Sequence, residues 1–118
     1  MKHLEENIQI ACVRWFEYQY PQFRLLLHHS PNGGFRNARE AARFKAMGTR
    51  AGFADLLLLV PRGGYHGLAI EMKTEEKSSK QSTAQKAWQK AVEEQGYKYQ
   101  VCRGFDDFME LTNGYISS

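Results

Sequence analysis

A chain of 118 residues is long enough to bury a core, hiding roughly two-thirds of its unfolded surface, and too short for two, so residues 1–118 are expected to form a single domain. Apolar residues at 42% and charged residues at 25% exclude a disordered polyampholyte, and no apolar stretch approaches membrane-spanning length. The formal charge of +3 suits a polyanionic partner without requiring one.

Taken in chain order, Leu4 to Tyr20 places Leu4, Ile8, Ala11, Cys12 and Trp15 at helical spacing and stops before Pro21, which predicts a first helix. Glu5 borders that apolar stripe and is expected to face the interior, whereas Glu6 is rotated about 100° away toward Gln9 and Val13. The run Phe23 to His28 reads as a strand, and Ser30-Pro31-Asn32-Gly33-Gly34 breaks the chain. Asn37 to Met47 reads as a short helix capped by Asn37, and Arg36, Arg39, Arg43 and Lys45 stand there against the single acid Glu40. That face is the densest positive charge in the sequence and is a candidate grip on a nucleic-acid backbone.

Two apolar runs follow, Leu56 to Val60 and Leu68 to Ile70, joined by Pro61-Arg62-Gly63-Gly64 and read as neighbouring strands. The polar stretch from Thr74 to Thr83 reads as a loop. A further helix capped by Ser82 or Thr83 is expected to reach about Gln95, with Gly96 as its stop. Tyr97 to Cys102 is predicted as a last strand and Phe105 to Leu111 as a short closing helix. The pattern predicts an α/β fold, a mixed central β-sheet flanked by helices. Trp15, Phe23, Phe44 and Trp88 are taken as core packing.

Chemistry concentrates between Gly48 and Lys73. Asp55 immediately precedes one predicted strand and Glu71 immediately follows the other, so an antiparallel pairing brings the two carboxylates to one edge of the sheet. The side-chain period of two then puts Glu71 and Lys73 on the same face. Two acids and an amine in one small volume can hold a divalent metal and handle a phosphate. The bare Glu-x-Lys spacing is weak, because such pairs alternate on many exposed strands. The context strengthens it, since a carboxylate abutting a buried strand is costly unless something pairs it. Cys12 and Cys102 lie far apart with no CxxC spacing, which argues against zinc and for free buried thiols. His28, His29 and His66 have no metal-ligand spacing, and no GxSxG motif supports a serine hydrolase.

The stretches His28 to Gly34, Ala41 to Gly48, Gly52 to Leu56, Pro61 to Gly67, Glu71-Met72-Lys73, Ser82 with Gln85 and Trp88, Gly96-Tyr97 and Val101 to Gly104, together with Glu5, cover nearly the whole chain in order. In that order they resemble the PD-(D/E)xK nuclease superfamily and, more closely, its virus-type replication-repair nuclease branch, VRR-NUC, found in phage, prophage and DNA-repair proteins. The resemblance implies a restriction-endonuclease-like αβββαβ core and a DNA endonuclease, a hydrolase of phosphodiester bonds dependent on Mg²⁺ or Mn²⁺. It further implies Glu5, Asp55, Glu71 and Met72 in the metal set, Lys73 assisting the attacking water, and Gln85 beside the site. Many members carry proline before the aspartate, where this chain has Ala54, and a glycine-containing turn where it reads TEEKSSKQ. Duplex or branched DNA, such as flaps and four-way junctions, and a homodimer are the implied partners. The acids in the N-terminal MKHLEENIQIAC stand where a signal peptide has its apolar core, and the expected location is the cytoplasm of a bacterium or phage-infected host. A non-catalytic DNA-binding or assembly module on the same fold is the alternative, and the intact set of Glu5, Asp55, Glu71 and Lys73 argues against such decay.

Overall fold

The computed structural model of the chain describes residues 2–31, 37–74 and 80–118. Helix α1 spans Lys2–Gln19 and ends ahead of Pro21, which lacks the N–H that a continuing helix needs. Pro21 instead opens a 3-10 helix, Pro21–Leu26, and only Leu27–His29 form strand β1. The strand expected over Phe23 to His28 is therefore mostly helical turn. The fixed φ of Pro21 suits the first helical position, and the Phe23 N–H closes onto the Tyr20 carbonyl at 2.9 Å. The guanidinium of Arg62 covers the Phe23 ring at 5.5 Å.

Helix α2 is Ala38–Ala46, and the Asn37 side chain accepts from the Glu40 N–H at 2.8 Å as its cap. Strand β2 is Leu56–Leu58 and β3 is Leu68–Lys73. Helix α3, Thr83–Glu94, crosses to β4, Lys98–Arg103, and Gly96 takes the positive φ of 88° that ends the helix. Helix α4 runs over Phe105–Ser117, past the expected stop at Leu111. Its extra turns are held from outside: Thr112 and Tyr115 are buried, the Tyr115 hydroxyl donates to the Val60 carbonyl at 2.6 Å, and Arg62 Nε donates to the Ile116 carbonyl at 3.0 Å. Those anchors outweigh the helix-weakening Asn113-Gly114 pair.

The strands form one mixed sheet in the order β1-β2-β3-β4, with the first two pairings antiparallel and β3-β4 parallel. Side-chain alternation sorts its two faces. Leu56, Leu58, Leu68, Ile70, Met72 and Cys102 pack with Cys12 and Phe16 of α1 and Phe108 and Tyr115 of α4 in the main core. Each large apolar side chain fully buried there stabilises the fold by about 1.5–3 kcal/mol. The opposite face holds a thinner layer, in which Ala54, Ala69 and Tyr99 meet Leu57, Trp88, Val92 and Val101. Two of those, Trp88 and Val92, belong to α3. Among the described residues no helix is long and apolar enough to cross a membrane.

Burial lifts the Cys12 thiol to about 11 and the Cys102 thiol to about 12. Both are free and buried, so Ellman's reagent at neutral pH is expected to label neither in the native protein and both after unfolding.

Candidate active site

The register that pairs Leu56 with Ile70 places Asp55 opposite Glu71 when extended by one residue. Glu71 and Lys73 lie inside β3 rather than beyond its end, continuing the Ala69 side of the sheet, the side that α3 covers. Asp55 is fixed through both its side chain and its backbone. Its Oδ2 accepts from the Met72 N–H at 2.8 Å, and its carbonyl accepts from the Ser30 N–H at 3.2 Å. His29 Nδ1 lies 2.9 Å from that carbonyl and 3.0 Å from Gln9 Nε2. A protonated Nδ1 donates to the carbonyl and a bare one accepts from the amide, so it serves one of the two at a time.

Glu71 is only 3% exposed. Its Oε2 accepts from Gln85 Nε2 at 2.7 Å, whereas Oε1 is buried with no donor among the described residues. Gln85 is the third residue of α3, where its Oε1 accepts from the Ser82 N–H at 2.9 Å while Ser82 Oγ accepts from the Gln85 N–H at 3.1 Å. This is a capping box, and it aims the Gln85 amide at Glu71. Lys73 Nζ reaches Gln85 Oε1 and the Lys80 carbonyl, each at 3.4 Å, the long end of a hydrogen bond.

Burial, followed by the negative charge of Asp55, pushes the Glu71 carboxyl up from 4.5 to about 8. Protonated, Glu71 donates to Asp55; with both groups ionised, two carboxylates face each other and Oε1 finds no donor among the described residues. Lys73 opposes the rise, and Glu5 adds to it. Glu5 is thus felt at Glu71, but it is exposed, as is Glu6, and the expectation that it turns inward is not met. The reason is that between Leu4 and Ala11 no residue of α1 is buried, the core beginning at Cys12, and Leu4 beside Glu5 is itself 53% exposed.

A sequence model of the VRR-NUC domain matches residues 4–106. The chain belongs to the VRR-NUC domain family. A solved structure described as a VRR_NUC domain protein is 34% identical, with a TM-score of 0.83 over 96% of this chain and 88% of that one. No curated protein matches. Membership carries a nuclease-type, DNA-processing function, with DNA as the partner.

In this VRR-NUC domain Asp55, Glu71, Lys73 and Gln85 stand together, with Glu5 within electrostatic reach. Among the described residues no three His, Cys, Asp or Glu side chains form a cluster able to hold a metal ion. Met72 sends its side chain into the main core, as the period of two requires, and serves the site through the N–H that holds Asp55. Arg39, Arg43 and Lys45 are exposed on α2, while Arg36 and the Asn32-Gly33-Gly34 turn lie outside the described residues. Helix α2 has no buried residue, and Phe44, expected in the core, is 38% exposed. Ser30 and His29 escaped the sequence reading as supports of Asp55. The signal was the register of β1, which sets His29 opposite Leu56 and so beside Asp55.

Proposed function

We propose that this VRR-NUC domain is a metal-dependent DNA endonuclease that hydrolyses phosphodiester bonds. Asp55 and Glu71 would hold Mg²⁺ or Mn²⁺, Glu5 would add its negative charge from α1, and Lys73 would orient the attacking water. The observation that carries this reading is the facing pair of half-buried Asp55 and buried Glu71, in which Glu71 Oε1 lacks a donor among the described residues. An oxygen-seeking cation that takes one or two carboxylates, with water and substrate phosphate completing its shell, fits that donor set. When bound, such an ion supplies Lewis acidity at the phosphoryl oxygen and a more acidic water.

The residues divide the remaining work. The Met72 N–H holds Asp55 in place and the Gln85 amide holds Glu71, so neither carboxylate has to reorganise as charge develops. Lys73 adds an ammonium beside them, tethered through Gln85, where it can steady the incoming oxygen or the phosphate. Branched or duplex DNA, including flaps and four-way junctions, is the proposed substrate, taken by a homodimer.

The test is a cleavage panel of duplex, flap, single-stranded and four-way-junction DNA with Mg²⁺, Mn²⁺ or chelator. The parent should cut with metal and not with chelator, and Asp55→Ala and Lys73→Ala should cut roughly a hundredfold slower or worse. Variants that cut as fast as the parent would sink the proposal.

Exposed Arg39, Arg43 and Lys45 form the proposed backbone grip. Removing the two arginines should weaken binding uniformly across sequences. It should also flatten the slope of log K against log salt by about 0.9 for each phosphate that is no longer neutralised. Titrations at several salt concentrations read this directly.

A further inference from the structure

Beside Asp55 lies a cleft of about 320 Å³ that the proposed cleavage chemistry does not use, lined by Ser30, Pro31, Phe44, Thr49, Arg50 and Phe53. We infer that this cleft receives an unpaired nucleobase of the DNA substrate, so that the site selects DNA with a single-stranded nucleotide next to the cut.

Two aromatic rings line the cleft from separate elements. Phe44 comes from α2 and is 38% exposed, so part of its side chain is open to solvent at the cleft. Phe53 comes from the loop before β2, and its ring is braced by Trp88 of α3 with centroids 4.4 Å apart. Every base has a π-face that can stack on such rings, whereas a paired base in a duplex hides its faces against its neighbours. The charge of the surroundings fits the same occupant. Arg50 lines the cleft, and Arg39, Arg43 and Lys45 are exposed on the helix that carries Phe44, so phosphates on either side of an inserted base meet cations.

The cleft also adjoins the carboxylates. Ser30, which lines it, donates its N–H to the Asp55 carbonyl at 3.2 Å, and Phe53 is two residues from Asp55. A base seated there therefore puts the neighbouring phosphodiester near Asp55 and Glu71. In that placement the inference rests on the nuclease reading; base capture itself does not.

The test uses the full chain with chelator and duplexes carrying 2-aminopurine either in a single-stranded overhang or in a paired position, with affinities taken from anisotropy. The parent should bind the overhang roughly tenfold more tightly than the blunt duplex, with the unpaired fluorophore quenched. Phe44→Ala should lose both the preference and the quenching, Phe44→Trp should keep them, and Arg50→Ala should weaken the preference, with circular dichroism unchanged in all three. Equal affinity of the parent for overhang and blunt ends, or a preference that survives Phe44→Ala, overturns the inference. Cleavage of the same DNAs with Mn²⁺ separates the two readings. A parent that cuts nothing but shows the ring-dependent preference defeats the nuclease reading and supports the cleft. One that cuts without that preference defeats the cleft alone.

Discussion

Glu71→Gln should yield a protein that no longer cuts DNA and yet, without metal, melts at a higher temperature than its parent. The side chain is 3% exposed and faces Asp55, so its ionisation is opposed by burial and then by a like charge. An amide keeps both neighbours satisfied, since its oxygen can accept from Gln85 and its NH₂ can donate to Asp55. The sign follows from the direction of the shift. Folding raises this carboxyl from 4.5 to about 8, so the metal-free parent has the full benefit of the protonated form below the lower value. It loses that benefit progressively as pH rises through the upper one. The loss is on the order of 2–4 kcal/mol, or roughly 10 °C in Tm, and the glutamine variant does not suffer it. Thermal melts in chelator near pH 5 and near pH 9 test this, and a parent with the same Tm at both would overturn it. Under the proposed reading, Mg²⁺ restores the parent at high pH by about 2.7 kcal/mol at a hundred times its Kd and leaves the variant unmoved.

Gly52→Ala should damage fold and activity together. A Cβ at this position would lie 2.3 Å from the Ala84 carbonyl oxygen and 2.7 Å from the Gln85 nitrogen, both backbone atoms that cannot swing aside, and the glycine has a φ of 81°. The left-handed backbone alone costs an alanine about 1–2 kcal/mol, and displacing the loop from the start of α3 adds to it, so a loss of about 3 kcal/mol or more is expected. The same displacement separates the strand that begins after Asp55 from the helix that presents Gln85, and cleavage should fall with stability. Gly64→Ala is the control. Its φ of 86° carries a similar conformational cost, but nothing lies within 4 Å of the added atom. It should lower Tm by a few degrees and cut normally; equal losses in the two variants would show that conformation, not the clash with α3, is what matters at Gly52.

The parts of this molecule that short-range rules govern were legible in its sequence. The Asn37 and Ser82 caps, the Gly96 stop and the pairing of β2 with β3 each depend on a few neighbouring residues, and each stands in the structure. Asp55 and Glu71 were brought together by that pairing alone. Long-range packing decided what the sequence hid. Leu25-Leu26-Leu27 offers no alternation to tell strand from 3-10 turn, and Pro21 with its neighbours settled the matter. Helix α4 continues through Asn113-Gly114 because Tyr115 and Arg62 tie it to the sheet. Phe44 looked like a core residue because apolarity is visible in a sequence and the exposure of α2 is not. The depth of Glu71 was likewise invisible, since it depends on α3 lying over the end of β3.

The amide of Gln85 both starts a helix and steadies a buried acid, and this narrows what the position tolerates. Capping boxes accept glutamate as readily as glutamine at the third helical residue, because only the oxygen that reaches back to the cap N–H is needed. Here the other end of the group donates to Glu71, so glutamate would keep the helix start and set a third negative charge against a pair already short of cations. Alanine would spare the charge and keep the Ser82 hydroxyl bond, but lose the half of the box made by Gln85 Oε1 and the donor to Glu71. A substitution regarded as conservative on any exposed helix thus becomes a severe one at this position, whereas the serine three residues earlier answers only to the backbone N–H of Gln85, which its hydroxyl accepts from.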